Sequence, residues 1–325
     1  MPNNSLTVPT YRLVLIGIFS SAFFSVTFLM NYIMHLGGGH WAWSAALRFI
    51  FMLPLLVPIL LLFKGVQFFI ELIHAFLRNL VFWTIAGTVG FGLFYAGICY
   101  AAGYSRGWLV AATWQTTILM TPFVLILFGL KIPRRGIFLS WLIVAGVAIV
   151  NYAQFKQGID REDILYGVIP VLLSAIAYPV GNQMLNAAKN NAIGSIKIAP
   201  HILQSPLACV FLMTLGSAPF WILLILCVQP PLPSTGQIYG SLSVAFFSGI
   251  CATTLFYWAR NSTNSAIQIA AVDATLAGEV VIVLAVEILL LKQPIPDALS
   301  LTGLAIITVG LIGYCYRSST ARPSN

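Results

Sequence analysis

Charged residues are rare in this sequence. They make up 7% of its 325 residues, whereas hydrophobic residues make up 59%. In a soluble globular domain about a quarter of the residues are charged, and one soluble core could not bury this much apolar surface. The composition therefore excludes a soluble protein and predicts an all-α integral membrane protein. At roughly 20 apolar residues per crossing, the length allows about ten membrane helices.

Residues that build common cofactor and nucleic-acid sites are also scarce. The five cysteines form no Cys-x-x-Cys pair and have no histidine cluster nearby, so we interpret them as packing residues. The sequence has no phosphate-binding loop and no His-Glu-x-x-His pair. Its 16 basic residues occur singly or in pairs, without the basic stripe of a nucleic-acid-binding protein. We therefore predict no cofactor, no metal and no nucleic-acid partner.

Long hydrophobic runs fill most of the chain. Hydropathy, together with the turn and charge signals between the runs, predicts ten membrane spans. The predicted spans are residues 11–34, 43–63, 79–100, 107–129, 136–153, 164–186, 202–228, 237–259, 266–291 and 298–316. Most connecting segments are short, so consecutive helices are expected to be antiparallel neighbours.

Lysine and arginine are unevenly divided between the two ends of these spans. If the N-terminus is cytoplasmic, eleven of the 16 fall on the cytoplasmic side and four on the other, and Arg48 is left inside a span. The cytoplasmic set is Arg12, Lys64, Arg78, Lys131, Arg134, Arg135, Lys189, Lys197, Arg260, Arg317 and Arg322. The opposite set is Arg106, Lys156, Arg161 and Lys292. This bias predicts a multi-pass protein of the cytoplasmic (inner) membrane with both termini in the cytoplasm.

The fourth and ninth predicted spans share a sequence pattern. Residues 111–122, AATWQTTILMTP, resemble residues 270–280, AAVDATLAGEV, and each run leads to a Lys-x-Pro turn and a glycine-rich helix. Because five is an odd number of helices, two such halves would insert in opposite orientations, as in many secondary transporters. We therefore predict inverted five-helix repeats at 1–153 and 164–316, with a connecting loop at 154–163 and a cytoplasmic tail at 317–325.

Several short motifs resemble a known family in their order along the chain. They are Ala45-Ala-Leu-Arg48-Phe49, Leu93-Phe-Tyr95 after the glycine-rich third span, Thr121-Pro122 in the fourth, and GGGHWAWSAALR at 37–48. In these the chain resembles the ten-helix EamA-like permeases of the drug/metabolite transporter (DMT) superfamily, and among them the multidrug-resistance efflux transporters. Members often carry Glu-Pro-Val and a further glutamate in the ninth helix region, where this chain has Glu279-Val-Val and Gln293. The resemblance implies efflux and a central cavity lined by helices 1, 3, 4, 6, 8 and 9.

Three acidic residues lie in the ninth predicted span. Glu279 is about 13 residues into it, which at roughly 1.5 Å per residue is near the bilayer midplane. An ionised carboxylate there costs roughly 2.5–3.5 kcal/mol on insertion scales. We therefore expect Glu279 to face a cavity and exchange a proton for substrate; the alternative is a hydrogen bond to a neighbouring helix. Asp273 is expected to line the inner approach, with Gln115 as its equivalent in the other repeat, and Glu287 is expected to be solvated near the outer end.

One arginine and several polar or aromatic residues lie inside other spans. Arg48 is about five residues from the outer end of the second span, where it can reach the surface, pair with an acid such as Glu287, or bind a substrate carboxylate. The family resemblance implies a structural or gating role for it. The further candidates for the cavity wall are Asn31, Trp114, Tyr178, Asn182 and Tyr257. Aromatic faces beside a buried acid would suit organic cations, whereas interhelical hydrogen bonds and, for Tyr257 and Trp258, an interfacial aromatic belt are the alternatives.

These features predict a secondary active transporter that exports small organic compounds across a lipid bilayer by alternating access, with H⁺ as a candidate coupling ion. An exchanger or facilitator of a neutral or anionic metabolite such as an amino acid, with Arg48 as a ligand, is the alternative. An intramembrane enzyme would need paired acids, a nucleophile or metal ligands near one interface, and a channel would need a filter-like loop. Neither pattern is visible in the sequence. The sequence leaves open the substrate, the direction of transport and whether the chain forms a homodimer.

Overall fold

A computed structural model describes residues 8–129, 134–156, 161–190, 196, 198–263 and 265–320, and every regular element in these ranges is a helix. In chain order the main helices are α1 (Thr10–Leu36), α2 (Trp41–Arg78), α3 (Leu80–Ala101), α4 (Gly107–Leu127), α5 (Arg134–Lys156), α6 (Arg161–Lys189), α7 (Pro206–Val228), α8 (Thr235–Asn261), α9 (Ala266–Ala274 and Gly278–Leu289, joined by a 3₁₀ turn at Thr275–Ala277) and α10 (Ala298–Thr320). A single helical turn, Pro200–Leu203, precedes α7.

Seven of the described helices, α1 to α4 and α6 to α8, are long and apolar enough to cross a membrane. They coincide with seven of the ten predicted spans, and the helical membrane class is confirmed. In α5 and α10 the side chains are described over the apolar stretches Trp141–Ala153 and Ala298–Gly310, and α9 is interrupted midway. The count of ten spans therefore stays a prediction. The predicted Lys131-Ile-Pro133 turn and residues 157–160 of the predicted loop lie outside the described residues.

The second helix continues beyond its predicted end at residue 63. Gly65 interrupts it with φ 83° and ψ 166°, a conformation that glycine adopts without steric cost. The chain then resumes as a helix to Arg78, with Leu72, Ala75 and Phe76 buried. This spacing of apolar residues gives an amphipathic helix with one face against the protein. The loop predicted after residue 63 is therefore a break inside a helix.

Four helices change their hydrogen-bonding pattern midway. A π-helical segment occupies Thr88–Leu93 of α3, and another occupies Val244–Ala252 of α8. The helix α4 is interrupted at residues 115–116, and α9 is interrupted by its 3₁₀ turn at Thr275–Ala277. Segments of this kind inside α-helices frequently occur at functional sites. In this fold the interruptions of α4 and α9 meet, since the Gln115 side chain is hydrogen-bonded to the backbone of Leu276.

The helices pack in a regular set of pairs. The first helix packs on α8 and α9, and α6 packs on α3 and α4; α2 packs on α7 and α8, α7 on α2 and α3, and α5 on α10. Small residues allow the closest of these approaches. At the crossing of α3 and α6, a Cβ atom added to Gly181 would lie 2.2 Å from the Cα of Gly90. The two backbones therefore touch at a point where no side chain fits.

Candidate functional site

A small internal cavity lies between six helices. Its wall is formed by Phe24, Thr27 and Phe28 of α1, Arg48 of α2, Phe94 and Ile98 of α3, Trp114 of α4, Tyr178 of α6, and Leu276 and Glu279 of α9. The cavity volume is about 10 Å³, which is room for one water. The packed side chains therefore leave no room for a larger molecule at this site. Of the helices implied by the family resemblance, α8 contributes no wall residue, and α2 takes part instead.

Glu279 is the acidic residue of the cavity wall. It is the second residue of the helix that follows the 3₁₀ turn in α9, and it is 1% exposed. Its Oε2 atom has no hydrogen-bond partner, and no basic nitrogen lies within 4 Å of the carboxyl group among the described residues. A buried carboxyl group without a partner is costly in an apolar interior. One of the two oxygens of the Glu279 carboxyl group is therefore left without a hydrogen bond in the packed structure.

Arg48 lies on the same wall and is 3% exposed. Its Nη1 donates to Thr27 Oγ1 at 3.4 Å, its guanidinium carbon lies 4.2 Å from the centre of the Tyr95 ring, and its Nε has no partner. In the described part of the chain no carboxylate is within 4 Å of it. Arg48 therefore does not reach the surface and does not pair with Glu287, so these two of its predicted alternatives were wrong.

Hydrogen bonds tie the start of α8 to the start of α2. The Nε2 atom of Gln237, in the first turns of α8, donates to the His40 carbonyl oxygen at 2.7 Å and to Ser44 Oγ at 2.8 Å. These bonds hold the start of α8 against the start of α2, one helical turn before Arg48. The sequence could not reveal this contact, because it comes from a helix far along the chain.

Asn31 lies behind the wall and contacts it through Tyr95. The Asn31 amide and the Tyr95 hydroxyl exchange two hydrogen bonds, at 3.2 and 3.3 Å. The Tyr95 ring in turn covers one face of the Arg48 guanidinium. Thr27, which accepts from Arg48, also bonds Ser248 in the π-helical segment of α8 at 2.6 Å. Asn31 and Tyr95 thus fix the orientation of Arg48, and neither residue forms part of the cavity wall.

Three aromatic rings pack together at the cavity. The ring centres of Phe94 and Tyr178 are 4.7 Å apart, those of Phe94 and Trp114 are 4.9 Å apart, and those of Trp114 and Tyr178 are 5.4 Å apart. Trp114 and Tyr178 therefore occupy the predicted wall. Asn182 is buried one turn beyond Tyr178 but does not line the cavity.

The aromatic residues near the end of α8 lie in different environments. Tyr257 is buried against Phe91, with ring centres 6.4 Å apart. It belongs to the packed interior, so the membrane-interface interpretation was wrong for this residue, and it does not line the cavity. Trp258, the next residue, points outward and is exposed. The difference follows from helix geometry, since successive residues are turned by about 100°.

Asp273 forms a buried ion pair that was not predicted. Arg260 Nε donates to Asp273 Oδ1 at 3.0 Å, and Arg260 Nη2 donates to Oδ2 at 3.4 Å. The two side chains are 2% and 6% exposed. The short turn between α8 and α9 brings the last turn of α8 beside the second turn of α9. Asp273, expected to line the inner approach, does not form part of the cavity wall and pairs with Arg260, which the charge count had placed on the cytoplasmic side of the spans. The only sequence signal for this pair was a lone arginine and a lone acid in adjacent helices.

Gln115 and Glu287 each tie α4 to α9. Gln115 Nε2 donates to the carbonyl oxygens of Ala111 at 2.9 Å and Leu276 at 3.2 Å. Glu287 is fully buried and accepts a hydrogen bond from the backbone N–H of Trp108 at 3.0 Å, at the start of α4. The expectation that Glu287 is solvated was therefore wrong, because the unpaired N–H groups at a helix start favour a carboxylate. Gln115 contacts the turn of α9 and does not line the cavity.

A family model described as "EmrE: Putative multidrug resistance efflux transporter" matches residues 11–320. The chain belongs to this EmrE family of the DMT superfamily. The resemblance seen in the sequence motifs is thereby confirmed. Membership makes the protein a membrane transporter of the DMT type that acts on a small molecule in a lipid bilayer, and the family is a transporter family, not an enzyme family.

Similar proteins leave the activity open. The chain is 36% identical to "Uncharacterized protein YjlA" of Bacillus subtilis (strain 168), over 96% of this chain and 97% of that protein. It is 37% identical to an uncharacterized 42.1 kDa protein of Shouchella clausii, over 78% of this chain and 66% of the other. A solved crystal structure with 13% identity superimposes with a TM-score of 0.60, covering 94% of this chain and 95% of that one. That likeness is one of fold alone.

Proposed function

We propose that this EmrE-family protein is a secondary active transporter that exports small organic compounds across the cytoplasmic membrane by alternating access. In this proposal Glu279 exchanges a proton for the substrate. The observation that carries it is the Glu279 carboxyl group, which is buried on the wall of an internal cavity with an unpartnered oxygen and no cation beside it among the described residues. A carboxyl group in such a place favours its protonated form until a cationic group approaches.

The packing pattern supports two five-helix repeats. If five is added to each helix number, and ten is subtracted where the sum exceeds ten, the pair α1–α8 becomes α6–α3, α1–α9 becomes α6–α4 and α2–α8 becomes α7–α3. The pairs α2–α7 and α5–α10 remain unchanged. The π-helical segments of α3 and α8 are related by the same shift, and so are the interruptions of α4 and α9. This supports repeats at 1–153 and 164–316 in opposite orientations. The excess of lysine and arginine on one side of the spans is the reason to place both termini in the cytoplasm.

Polar contacts close the protein at both ends of α8. At its start, Gln237 holds the segment from His40 to Ser44. At its end, Arg260 holds Asp273 in the neighbouring helix. The cavity between them has room for about one water. A transporter of this design would release one set of contacts at a time, so that the cavity opens to one side of the membrane only.

A second function is favoured by Arg48. Its buried guanidinium lies on the same wall with a free Nε and no acidic partner among the described residues. An exchanger or facilitator of an anionic metabolite would use this group as its ligand, and Glu279 would then have no role in coupling.

Transport by purified protein in liposomes separates the two functions. A panel of organic cations and amino acids is screened for uptake driven by a pH gradient, and binding is followed by thermal shift. Glu279→Gln should still bind the transported compound, although less tightly, but should lose the gradient-driven uptake. Glu162→Gln, the same change at an exposed position of α6, should behave like the wild type. Unchanged gradient-driven uptake by Glu279→Gln would eliminate the proton-exchange role.

A further inference from the structure

The cavity wall carries two opposite formal charges that are not paired with each other. Arg48 and Glu279 both line it, and both are at least nine-tenths buried. No N–O distance between them is within 4 Å, and each has one buried polar atom without a partner, Nε of Arg48 and Oε2 of Glu279. Buried charges are normally paired, because an unpaired one is costly. Two such groups on one small cavity indicate that a ligand supplies the missing partners.

The Arg48 side leaves a hydrogen-bonding edge of the guanidinium available. Its face is covered by the Tyr95 ring at 4.2 Å, and Tyr95 is fixed by Asn31. Thr27 accepts from Nη1 only, at 3.4 Å. A planar guanidinium held by its face can bind a carboxylate through its edge with two parallel hydrogen bonds. The chemistry on this side therefore fits a carboxylate.

The Glu279 side fits an ammonium group. The carboxyl group lies on the same wall as the aromatic cluster of Phe94, Trp114 and Tyr178. A carboxylate attracts an ammonium group directly, and aromatic faces attract it through their quadrupoles. The same rings offer an apolar surface for the rest of a small molecule.

We propose that the substrates are small zwitterions with an apolar side group, whose carboxylate binds Arg48 and whose ammonium group binds Glu279. A compound with only a positive charge would lie beside the unpaired Arg48, and one with only a negative charge beside Glu279, so each would leave one buried charge without a partner. As the ammonium group binds, the Glu279 carboxyl group releases its proton to water and becomes the carboxylate that pairs with the ligand. This assignment rests on the proposal that the cavity is the transport site.

Charge-matched ligands test the assignment on the full-length protein in detergent. L-phenylalanine and L-leucine are zwitterions, their methyl esters are cations of nearly the same shape, and their N-acetyl derivatives are anions. Binding to the wild type is measured by calorimetry near neutral pH. Each amino acid should bind at least about tenfold more tightly than its ester and its N-acetyl derivative, since each derivative loses one charged hydrogen-bonded contact. Equal or tighter binding of either derivative, or no binding of any probe, overturns the proposal.

Single variants then assign each charge to its residue. Arg48→Gln should weaken binding of the amino acids at least about tenfold without weakening binding of the esters, whereas Glu279→Gln should weaken binding of the amino acids without weakening binding of the N-acetyl derivatives. Arg48→Lys should restore part of the affinity, because it keeps the charge but not the planar pair of donors. If Arg48 only supports the packing, Arg48→Gln will weaken the binding of all ligands together, and the proposal fails. If a variant does not fold, the wild-type ligand series decides alone.

Transport assays distinguish this proposal from the proposed function. Liposomes are loaded with each amino acid or with its methyl ester, and efflux is followed under a pH gradient. Gradient-driven movement of the ester with no binding of the amino acid would leave the transporter in place and overturn the zwitterion site. Selective binding of the amino acids with no movement of any probe would keep the site and count against transport by proton exchange.

Discussion

Arg260 and Asp273 form two hydrogen bonds, at 3.0 and 3.4 Å, across the interface of α8 and α9, with both side chains almost fully buried. This pair lies at one end of α8, and the Gln237 contacts lie at the other. Asp273→Asn would leave the guanidinium buried without a counter-ion. The free energy of unfolding should then fall by about 3–5 kcal/mol, as measured by unfolding in detergent.

An exposed pair of side chains provides the control for that change. His201 Nε2 and Glu71 Oε2 are 2.9 Å apart, and both side chains are exposed to solvent, so Glu71→Gln should cost less than about 1 kcal/mol. Replacing the buried pair together, as Arg260→Met with Asp273→Leu, should recover much of the stability, because no charge is then left alone. If Asp273→Asn were no more destabilising than Glu71→Gln, the buried pair would not stabilise the fold.

Removing the Glu287 acceptor should loosen the start of α4. Glu287→Ala leaves the Trp108 N–H without its partner at 3.0 Å and should cost about 1–3 kcal/mol. Glu287→Gln keeps a carbonyl oxygen at that place and should cost less. Amide hydrogen exchange at Trp108 checks this directly: exchange should accelerate in the alanine variant much more than in the glutamine variant. Equal exchange in both would show that the side chain does not cap the helix.

The contact between α3 and α6 should tolerate no side chain at Gly181. A Cβ atom there would lie 2.2 Å from Gly90 Cα and 2.7 Å from its backbone nitrogen, so Gly181→Ala should force the helices apart. We expect a clear loss of folded yield and a lower unfolding temperature. Gly236→Ala is the matched control, since the nearest atom to its added Cβ is 4.0 Å away, and alanine in a helix should be neutral or stabilising. A wild-type yield for Gly181→Ala would contradict this packing.

His40 should give the stability of the protein a pH dependence. Burial lowers the pKa of the His40 imidazole below its usual 6.5, and its Nδ1 accepts a hydrogen bond from the Ala42 N–H at 3.2 Å. The stabilisation of the folded state by neutral His40 is therefore present above about pH 6.5 and is lost as the pH falls through the lowered pKa of the folded state. His40→Asn keeps a capping acceptor that does not titrate and should flatten the change in unfolding midpoint between about pH 7 and 5. An identical slope in both proteins would rule His40 out as its source.

The helices and part of the cavity wall were accessible from the sequence. Long apolar runs have one stable form in a membrane, and a charge inside such a run is rare enough to be singled out. Arg48 and Glu279 were chosen in this way, and Trp114 and Tyr178 were chosen as aromatic residues inside predicted spans. All four lie on the cavity wall.

The other wall residues and the contacts around the cavity could not be predicted, because they depend on how distant segments meet. Phe24, Phe28 and Leu276 line the cavity, but in composition they do not differ from residues that face lipid. The pairing of Arg260 with Asp273 and the bonds of Gln237 to the start of α2 each depend on how two helices meet. A hydropathy pattern gives the position of a residue along one helix, and it carries no information on which neighbour that residue will touch.

The hydrogen bond from Gln115 to Leu276 joins the interruption of one helix to that of another. Gln115 also bonds Ala111 in its own helix, so one amide group spans both weak points. If α4 bends at its interruption, this amide would carry the movement to the turn of α9 that precedes Glu279. The position of the carboxyl group would then follow the bend of α4, which places Trp114 on the same cavity wall.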